Sequence, residues 1–144
     1  MPAVLCIDDD DITLTVCKAI IAKTHLFEEV VTAMNGQEAL DFYNALMEEN
    51  APPEKFPGLI FLDLTMPVMD GWEFLDKFTT NYQYLDKTKI AILTSSVNPA
   101  EKRRALQYPG VIDFISKPLT APVVVGIFFK TIFPRFDSFS RRWV

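Results

Sequence analysis

Five polar residues of the sequence could together handle a phosphoryl group: Asp8, Asp9, Asp63, Thr94 and Lys117. Each follows a short apolar run, at the point where a buried strand should end. Carboxylates that lie close together raise one another's pKa values, so a cluster of them needs a counter-ion. Mg²⁺ suits this role, since it prefers oxygen ligands and needs only one or two protein carboxylates. An ionised aspartate beside Mg²⁺ can attack phosphorus, while an ammonium and a hydroxyl neutralise the phosphoryl oxygens. The residue types therefore indicate an aspartyl-phosphate.

The acidic segment has a simpler interpretation as a solvated run of charge, because Asp8 is followed directly by three more acids. Its position argues against that interpretation. The acids come where a buried strand passes into a helix, and ligands of open α/β sheets bind beyond the carboxyl ends of the strands. The remaining elements must therefore show whether the other polar residues reach the same edge.

Five apolar runs rich in β-branched and aromatic residues predict five strands. They are Ala3–Ile7, Glu29–Thr32, Leu59–Leu62, Ile90–Leu93 and Val111–Ile115. Between them lie stretches whose apolar residues recur three and four apart, as on one face of a helix. Strands that alternate with helices predict a parallel sheet covered on both faces. We expect an α/β fold: a doubly wound, flavodoxin-like, three-layer α/β/α domain with a five-stranded parallel sheet.

The expected strand order of this sheet is 2-1-3-4-5. That order places strands one, three, four and five side by side, with the switch point between strands one and three. The five polar residues would then meet in one crevice at the carboxyl edge of the sheet. Helix starts agree with the assignment: Asp70 and Glu73 have the spacing of a capping box, and Asn98 before Pro99 predicts an N-cap.

The composition fits one globular domain: the chain has 144 residues, of which 49% are hydrophobic and 23% charged. We assign residues 1–133 to this domain and residues 134–144 to a C-terminal tail. The net charge of −5 argues against direct binding of nucleic acid, which requires basic surface. Cys6 and Cys17 fall in predicted core elements and favour free thiols. Without a secretory signal or a membrane span, we expect a cytoplasmic protein with no membrane contact.

Four motifs in order resemble those of the response-regulator receiver domain of two-component signalling. They are Asp8-Asp9, Asp63-Leu-Thr-Met-Pro-Val-Met-Asp-Gly71, Thr94-Ser95 and Lys117-Pro118. Each motif alone is common, whereas the ordered set is specific, and the resemblance covers most of the chain. Because only a helix and a tail follow Lys117, the chain looks like the single-domain receivers of chemotaxis and phytochrome-type pathways.

The resemblance implies an acceptor and a metal site. Asp63 is the implied phospho-acceptor. Asp8 and Asp9 are the implied ligands of Mg²⁺, together with Asp63 and the backbone carbonyl of Thr65. In the same acidic run we expect Asp11 to cap the first helix and the residue before it to point to solvent.

The resemblance also implies a switch. Thr94 is the implied switch hydroxyl, and Phe114 stands where the family has a switch aromatic. Lys117 is the implied ligand of the phosphoryl group, with a cis peptide bond to Pro118. Two simpler roles stay open: Thr94 could be a β-former at a strand end, and Phe114 could be an ordinary core aromatic. We expect the lysine ammonium in a wet crevice, where an ion pair contributes little to stability.

These residues predict a phosphorylation-dependent switch that receives its phosphoryl group from a sensor histidine kinase or a histidine phosphotransfer protein. Such a protein is not an enzyme beyond its own phosphorylation and dephosphorylation. The first alternative is an aspartate-nucleophile phosphatase of the haloacid-dehalogenase type, which has a second aspartate where this sequence has Thr65. The second is a degenerate receiver that serves as a scaffold, against which the intact polar set argues. We expect no transcription factor, since no helix-turn-helix segment follows.

The surface that responds to phosphorylation is expected on the fourth strand, the fourth predicted helix, the fifth strand and the fifth predicted helix. Phe129 and Phe133 lie beside the predicted core stripe of the last helix and should leave aromatic surface exposed. That surface could bind a downstream protein or form a homodimer. Alternatively, aromatic residues of the tail could cover it: Phe136, Phe139 and Trp143.

Overall fold

The computed structural model describes residues 3–96 and 98–133, without the side chain of Tyr82. The predicted tail 134–144 lies outside the described residues. The strands are β1 (Ala3–Ile7), β2 (Glu29–Ala33), β3 (Leu59–Leu62), β4 (Lys89–Thr94) and β5 (Val111–Ser116). The helices are α1 (Asp11–Thr24), α2 (Gly36–Glu48), α3 (Gly71–Phe78), α4 (Tyr82–Leu85), α5 (Pro99–Leu106) and α6 (Ala121–Ile132).

All strand pairs of the sheet are parallel, and the strand order is β2-β1-β3-β4-β5. The predicted fold class and strand order are therefore confirmed. Alternate residues of a strand point to opposite faces, so Leu5 packs in one buried cluster with Tyr43 and Phe74, while Cys6 packs in another with Val124. Both cysteines are buried and free. Among the described helices, none has the length and apolar character needed to cross a bilayer.

A short helix that the sequence did not predict, α4, lies between α3 and β4. Its Tyr84 is buried, stacks on Phe78 and donates a hydrogen bond to Asn44. Asn81 caps this helix locally by accepting the N–H of Gln83 at 3.0 Å, whereas the burial of Tyr84 depends on residues as far away in the sequence as Tyr43. As a consequence, the helix that follows β4 is the fifth α-helix of the described residues, and the last one described is the sixth.

The N-cap of α1 is Asp10, so the prediction of Asp11 was wrong by one residue. The Asp10 carboxylate accepts hydrogen bonds from the backbone N–H of Ile12 at 3.0 Å and from the hydroxyl of Thr13 at 2.9 Å. The Thr13 bond first, and the Ile12 bond next, lower the pKa of Asp10. Any of several adjacent acids could cap the helix, and the choice depends on where the chain leaves the strand. The predicted caps Asp70 and Asn98 are confirmed.

Gly71 fastens the start of α3 to the loop that carries Asp63. Its N–H donates to the carbonyl of Leu64 at 3.0 Å. A Cβ at this position would lie 2.5 Å from the Asp63 carbonyl oxygen and 2.6 Å from the Leu64 Cα. Since both neighbours are backbone atoms, the loop could not make way for a side chain without moving Asp63.

Substitution of two glycines should change stability in opposite directions. Gly71→Ala should lower the free energy of unfolding by about 1–3 kcal/mol, as overpacking does elsewhere. Gly126→Ala should raise it by about 0.5–1 kcal/mol, since Gly126 is a helical residue whose Cβ would meet nothing within 4 Å. Urea unfolding of both variants checks this pair. Equal effects would show that the close approach at Gly71 does not constrain the loop.

Candidate functional site

Three carboxylates converge at the carboxyl edge of the two central strands. Asp8 follows β1 and Asp63 follows β3, and these strands are paired up to Ile7 and Leu62. One oxygen from each of Asp8, Asp9 and Asp63 lies within 4.8 Å of the other two. The side chains of Asp8 and Asp63 are 6% and 7% exposed, whereas Asp9 is open to solvent. The sheet thus brings together acids that lie more than fifty residues apart in the sequence.

Backbone hydrogen bonds hold the two buried acids in place. The N–H of Asp8 donates to the carbonyl of Ala33 on β2 at 3.1 Å, and the N–H of Asp63 donates to the carbonyl of Ile7 at 3.0 Å. Each carboxylate also accepts a backbone N–H two residues further along: Asp8 from Asp10 at 2.9 Å, and Asp63 from Thr65 at 3.4 Å. Neither acid can move away from this edge without breaking the backbone hydrogen bond that joins it to the neighbouring strand.

Lys117, which directly follows the edge strand β5, provides the compensating positive charge. Its Nζ lies 2.6 Å from Asp8 Oδ2 and 3.4 Å from Asp63 Oδ2. Its backbone N–H donates to the carbonyl of Thr94 at 2.8 Å, and its peptide bond to Pro118 is cis. The lysine side chain is only 22% exposed, so the crevice is drier than the sequence suggested.

The charges of the site perturb two pKa values. Burial, and then the charge of Asp8, raise the pKa of Asp63, while Lys117 opposes this rise. Burial disfavours the charged form of Lys117, but the hydrogen bond to Asp8 and the charge of Asp63 outweigh it and raise the lysine pKa. A single ammonium therefore contacts two buried carboxylates, and an oxygen of the third acid, Asp9, lies within 4.8 Å of an oxygen of each. Further positive charge would stabilise this arrangement.

The donor set of the site fits a hard divalent cation. Carboxylate oxygens are the ligands that Mg²⁺ prefers, and one oxygen from each of three acids lies close enough to share one ion. Thr65 follows Asp63 by two residues and is exposed, in the loop where its backbone carbonyl was predicted to complete the ligand set. The structure shows an acidic cluster that could hold a metal.

The predicted switch residues lie on the two strands at the far side of the site. Thr94 ends β4, is buried, and accepts the N–H of Ser96 at 3.3 Å. Phe114 lies on β5 opposite Ile92, is half-buried, and packs against the larger core cluster. The backbone bond between Lys117 and Thr94 connects the ends of the two strands directly.

One feature of the loop between Asp63 and α3 had no signal in the sequence. Val68 has a backbone φ of 68° and is 80% exposed. The left-handed conformation costs an ordinary residue about 1–2 kcal/mol, and β-branched residues adopt it rarely. Met66 and Met69 on either side are buried, and the carbonyl of Met69 accepts the N–H of Gly36. The two buried methionines hold the loop, so Val68 takes the strained conformation between them.

The fold and this site define an α/β domain with a charged site at the carboxyl edge of its sheet, and comparison with known proteins names its family. The family model of the response regulator receiver domain matches residues 4–127. The chain therefore belongs to the response regulator receiver family. Membership in this family excludes the alternative of a haloacid-dehalogenase phosphatase.

Similar proteins include single receivers and longer proteins. A two-component response regulator from Cytophaga hutchinsonii has a solved structure with a TM-score of 0.81, 32% identity, and coverage of 92% of this chain and 97% of that one. The chemotaxis protein CheY of Halobacterium salinarum is 28% identical over 122 residues, which are 85% of this chain and 89% of that protein. A protein-glutamate methylesterase/protein-glutamine glutaminase of Paramagnetospirillum magneticum is 28% identical over 81% of this chain. The matched region spans only 29% of that longer relative.

Removal of the Lys117 charge should destabilise the metal-free protein. Lys117→Met keeps the aliphatic stem but leaves Asp8 and Asp63 without their cation, which should cost about 1–3 kcal/mol, less than a fully buried pair. The matched control is Lys130→Met, which removes the more exposed pair with Asp113 (2.7 Å) and should cost at most about 1 kcal/mol. Urea unfolding in a chelator measures both. A Lys117 variant as stable as the control would contradict the desolvated site described here.

Proposed function

We propose that this receiver domain is a phosphorylation-dependent switch whose acceptor is Asp63. The observation that carries the proposal is the convergence of Asp8, Asp9 and Asp63 with the ammonium of Lys117 at one sheet edge. An isolated acid pair would serve solubility equally well. Three clustered acids, two of them buried and paired with one lysine, instead form a site whose charge a further cation would balance.

The proposed reaction is transfer of a phosphoryl group from a phosphohistidine. A carboxylate oxygen of Asp63 attacks phosphorus, the bond between phosphorus and the donor imidazole nitrogen breaks, and the imidazole leaves. Lys117 already lies within 3.4 Å of the acceptor carboxylate and can neutralise a phosphoryl oxygen there. The protein thus catalyses only its own phosphorylation and, with water as the nucleophile, its dephosphorylation.

Mg²⁺ is the proposed cofactor, with Asp8, Asp9, Asp63 and the backbone carbonyl of Thr65 as its ligands. When bound, the ion supplies positive charge that screens the carboxylates and the incoming phosphoryl oxygens. Burial and charge raise the pKa of Asp63 in the metal-free site, and a cation favours the ionised form that acts as nucleophile.

The proposed phosphoryl donor is a sensor histidine kinase or a histidine phosphotransfer protein, as is general for the receiver family. Two buried free thiols suit the reducing cytoplasm, where we place the protein. The complete polar set favours a working switch over a scaffold. Use of the receiver without an attached output domain stays a prediction.

The proposed switch runs from Thr94 to the face formed by β4, α5, β5 and α6. The Thr94 hydroxyl moves toward the phosphoryl group, and space opens into which half-buried Phe114 turns. A reversal from 1:99 to 99:1 requires about 5.5 kcal/mol of preference for the active state. The altered face then binds a downstream protein or a second copy of the chain.

Asp63→Asn should abolish phosphorylation, because the amide is not an ionised nucleophile. We expect intact-mass spectrometry, after incubation with acetyl phosphate and Mg²⁺, to show one phosphoryl adduct on the parent protein and none on this variant. Asp70→Asn is the matched control, since asparagine can cap α3 as well as aspartate does. Retention of the adduct by the Asp63 variant would disprove the assignment.

Neutralisation of Asp9 should weaken Mg²⁺ binding more than neutralisation of its neighbour. Asp9→Asn removes a proposed ligand, and we expect a loss at least as large as the roughly 10–100-fold known for outer-shell partners. Asp10→Asn removes the same charge but keeps the helix cap, so its effect should be small. Titration of each variant with Mg²⁺, followed by the change in melting temperature, gives the comparison. Equal losses would mean that general charge, and not ligation, attracts the ion.

Thr94→Val should separate phosphorylation from switching. Valine keeps the β-branched shape, so the buried strand end remains intact while the hydroxyl is lost. We expect phosphorylation of Asp63 to persist and the response of residues 94–133 in amide hydrogen exchange to beryllofluoride to disappear. Thr32→Val, on exposed β2, serves as the control. An unchanged response in the Thr94 variant would remove this hydroxyl from the switch.

A further inference from the structure

An aromatic face runs along α6 and ends where the described chain ends. Phe27 and Phe128 make an edge-to-face contact with ring centroids 5.8 Å apart, and Phe128 makes another with Phe129 at 6.0 Å. Phe129 and Phe133 are stacked at 5.9 Å. These four side chains are called the aromatic face below. They lie outside the set of residues that forms the phosphoryl site.

The outer half of the aromatic face is unusually open for a globular domain. Phe129 is 46% exposed and Phe133 is 50% exposed, and both Val125 and Ile132 on the same helix are exposed too. Contiguous apolar surface of this kind usually marks a place where another segment or molecule binds. No described residue covers it.

Acidic side chains border the aromatic face at Phe27, its inner end. Glu28 and Glu29 follow Phe27 directly and line a cleft of about 300 Å³ together with Glu54 and Lys55. Glu54 also lines a neighbouring cleft of about 330 Å³ that includes Thr131 of α6. Within the described ranges, these three glutamates form no ion pair. Because Lys55, Lys87 and Lys89 line the same clefts, the negative charge available to a basic partner is concentrated at Glu28 and Glu29, next to Phe27.

The sequence directly beyond the aromatic face has the complementary chemistry. Residues 134–144 contain three aromatic side chains spaced three and four apart: Phe136, Phe139 and Trp143. The same eleven residues carry three arginines against one aspartate, although the whole chain has a net charge of −5. One short segment thus contains both aromatic residues, which can pack on the exposed rings of α6, and arginines, which can pair with glutamates.

The geometry at the end of α6 lets this segment turn back. Phe133 has φ −121° and ψ 72°, which is outside the helical region, as expected for the residue before a proline. The helical path of the backbone therefore ends at Phe133, whose ring stacks on that of Phe129. Eleven extended residues reach about 35 Å, whereas the twelve residues of α6 span about 18 Å. The segment is long enough to run along the whole aromatic face.

We propose that residues 134–144 dock on the aromatic face of their own chain as an intramolecular strap. The rings of the segment pack on Phe129 and Phe133, and its arginines lie beside Glu28, Glu29 and Glu54. A second copy of the described domain fits less well, since it would bring the same acidic border to this surface. The strap would occupy part of the surface that a downstream protein could otherwise use, and its docking is independent of phosphorylation.

The two tryptophans of the chain permit a direct test. In the full-length Trp72→Phe variant, Trp143 is the only tryptophan and reports on the tail alone. We expect a blue-shifted emission maximum and acrylamide quenching several-fold weaker than that of free N-acetyl-tryptophanamide. Emission and quenching equal to the free compound, in protein whose circular dichroism shows it folded, would overturn the proposal.

Substitutions in the same background locate the docking surface. Phe129→Ser with Phe133→Ser should expose Trp143, whereas Leu106→Ser, an equally open apolar residue on α5, should not. Glu28→Gln with Glu29→Gln should increase quenching, and the exposed pair Glu48→Gln with Glu49→Gln should leave it unchanged. Protection of Trp143 that survives both the aromatic and the acidic variants would overturn the assigned surface, even if one variant folded poorly.

Dilution distinguishes the strap from an interface between copies. An intramolecular strap protects Trp143 equally at all protein concentrations, with a monomeric mass by light scattering. Protection that disappears on dilution together with a dimeric mass would show that a second copy covers the face, and the proposal would be wrong.

Discussion

The mutual repulsion of carboxylates held at one sheet edge dominates this structure. Asp8 and Asp63 belong to paired strands, and backbone hydrogen bonds prevent them from separating. Their charges are nearly removed from water, which makes repulsion expensive and makes the nearest cation valuable. Lys117 supplies that cation from β5, and so three strands become electrostatically connected through one point. A group that adds or withdraws charge at this point acts on all three strands at once.

The loop after Asp63 shows how the scaffold tolerates such a site. Buried Met66 and Met69 fix the loop against the core, and Gly71 allows α3 to approach its backbone closely. Because both ends of the loop are fixed in this way, Val68 adopts an unfavourable left-handed conformation. Strain of this type persists where surrounding packing determines the backbone, and it concentrates at functional sites. The loop after Asp63 is therefore positioned by its neighbours more than by its own conformational preference.

The charged site at the sheet edge and the exposed aromatic rings of α6 are separate, but both are connected to β5. Lys117 follows this strand at the charged edge, and Asp113 within it pairs with Lys130 on α6 at 2.7 Å. The same helix carries the open rings Phe129 and Phe133 on its outer surface. A rearrangement of β5 would consequently reach α6 through a short path of direct contacts. Under the proposed function, a segment that covered the outer surface of α6 would influence which partners detect that rearrangement.

The amino-acid sequence alone determined the five strands, their order and the convergence of the acids with the lysine, because apolar runs and strand-end positions are local signals that topology rules combine. Other features required tertiary structure. The cap at Asp10 depends on where the chain leaves β1, and α4 depends on burial of Tyr84 among distant aromatic rings. The burial of Lys117 and the strain at Val68 likewise arise from packing between segments far apart in the chain. Local sequence specifies which groups are available, whereas desolvation and backbone strain depend on everything packed around them.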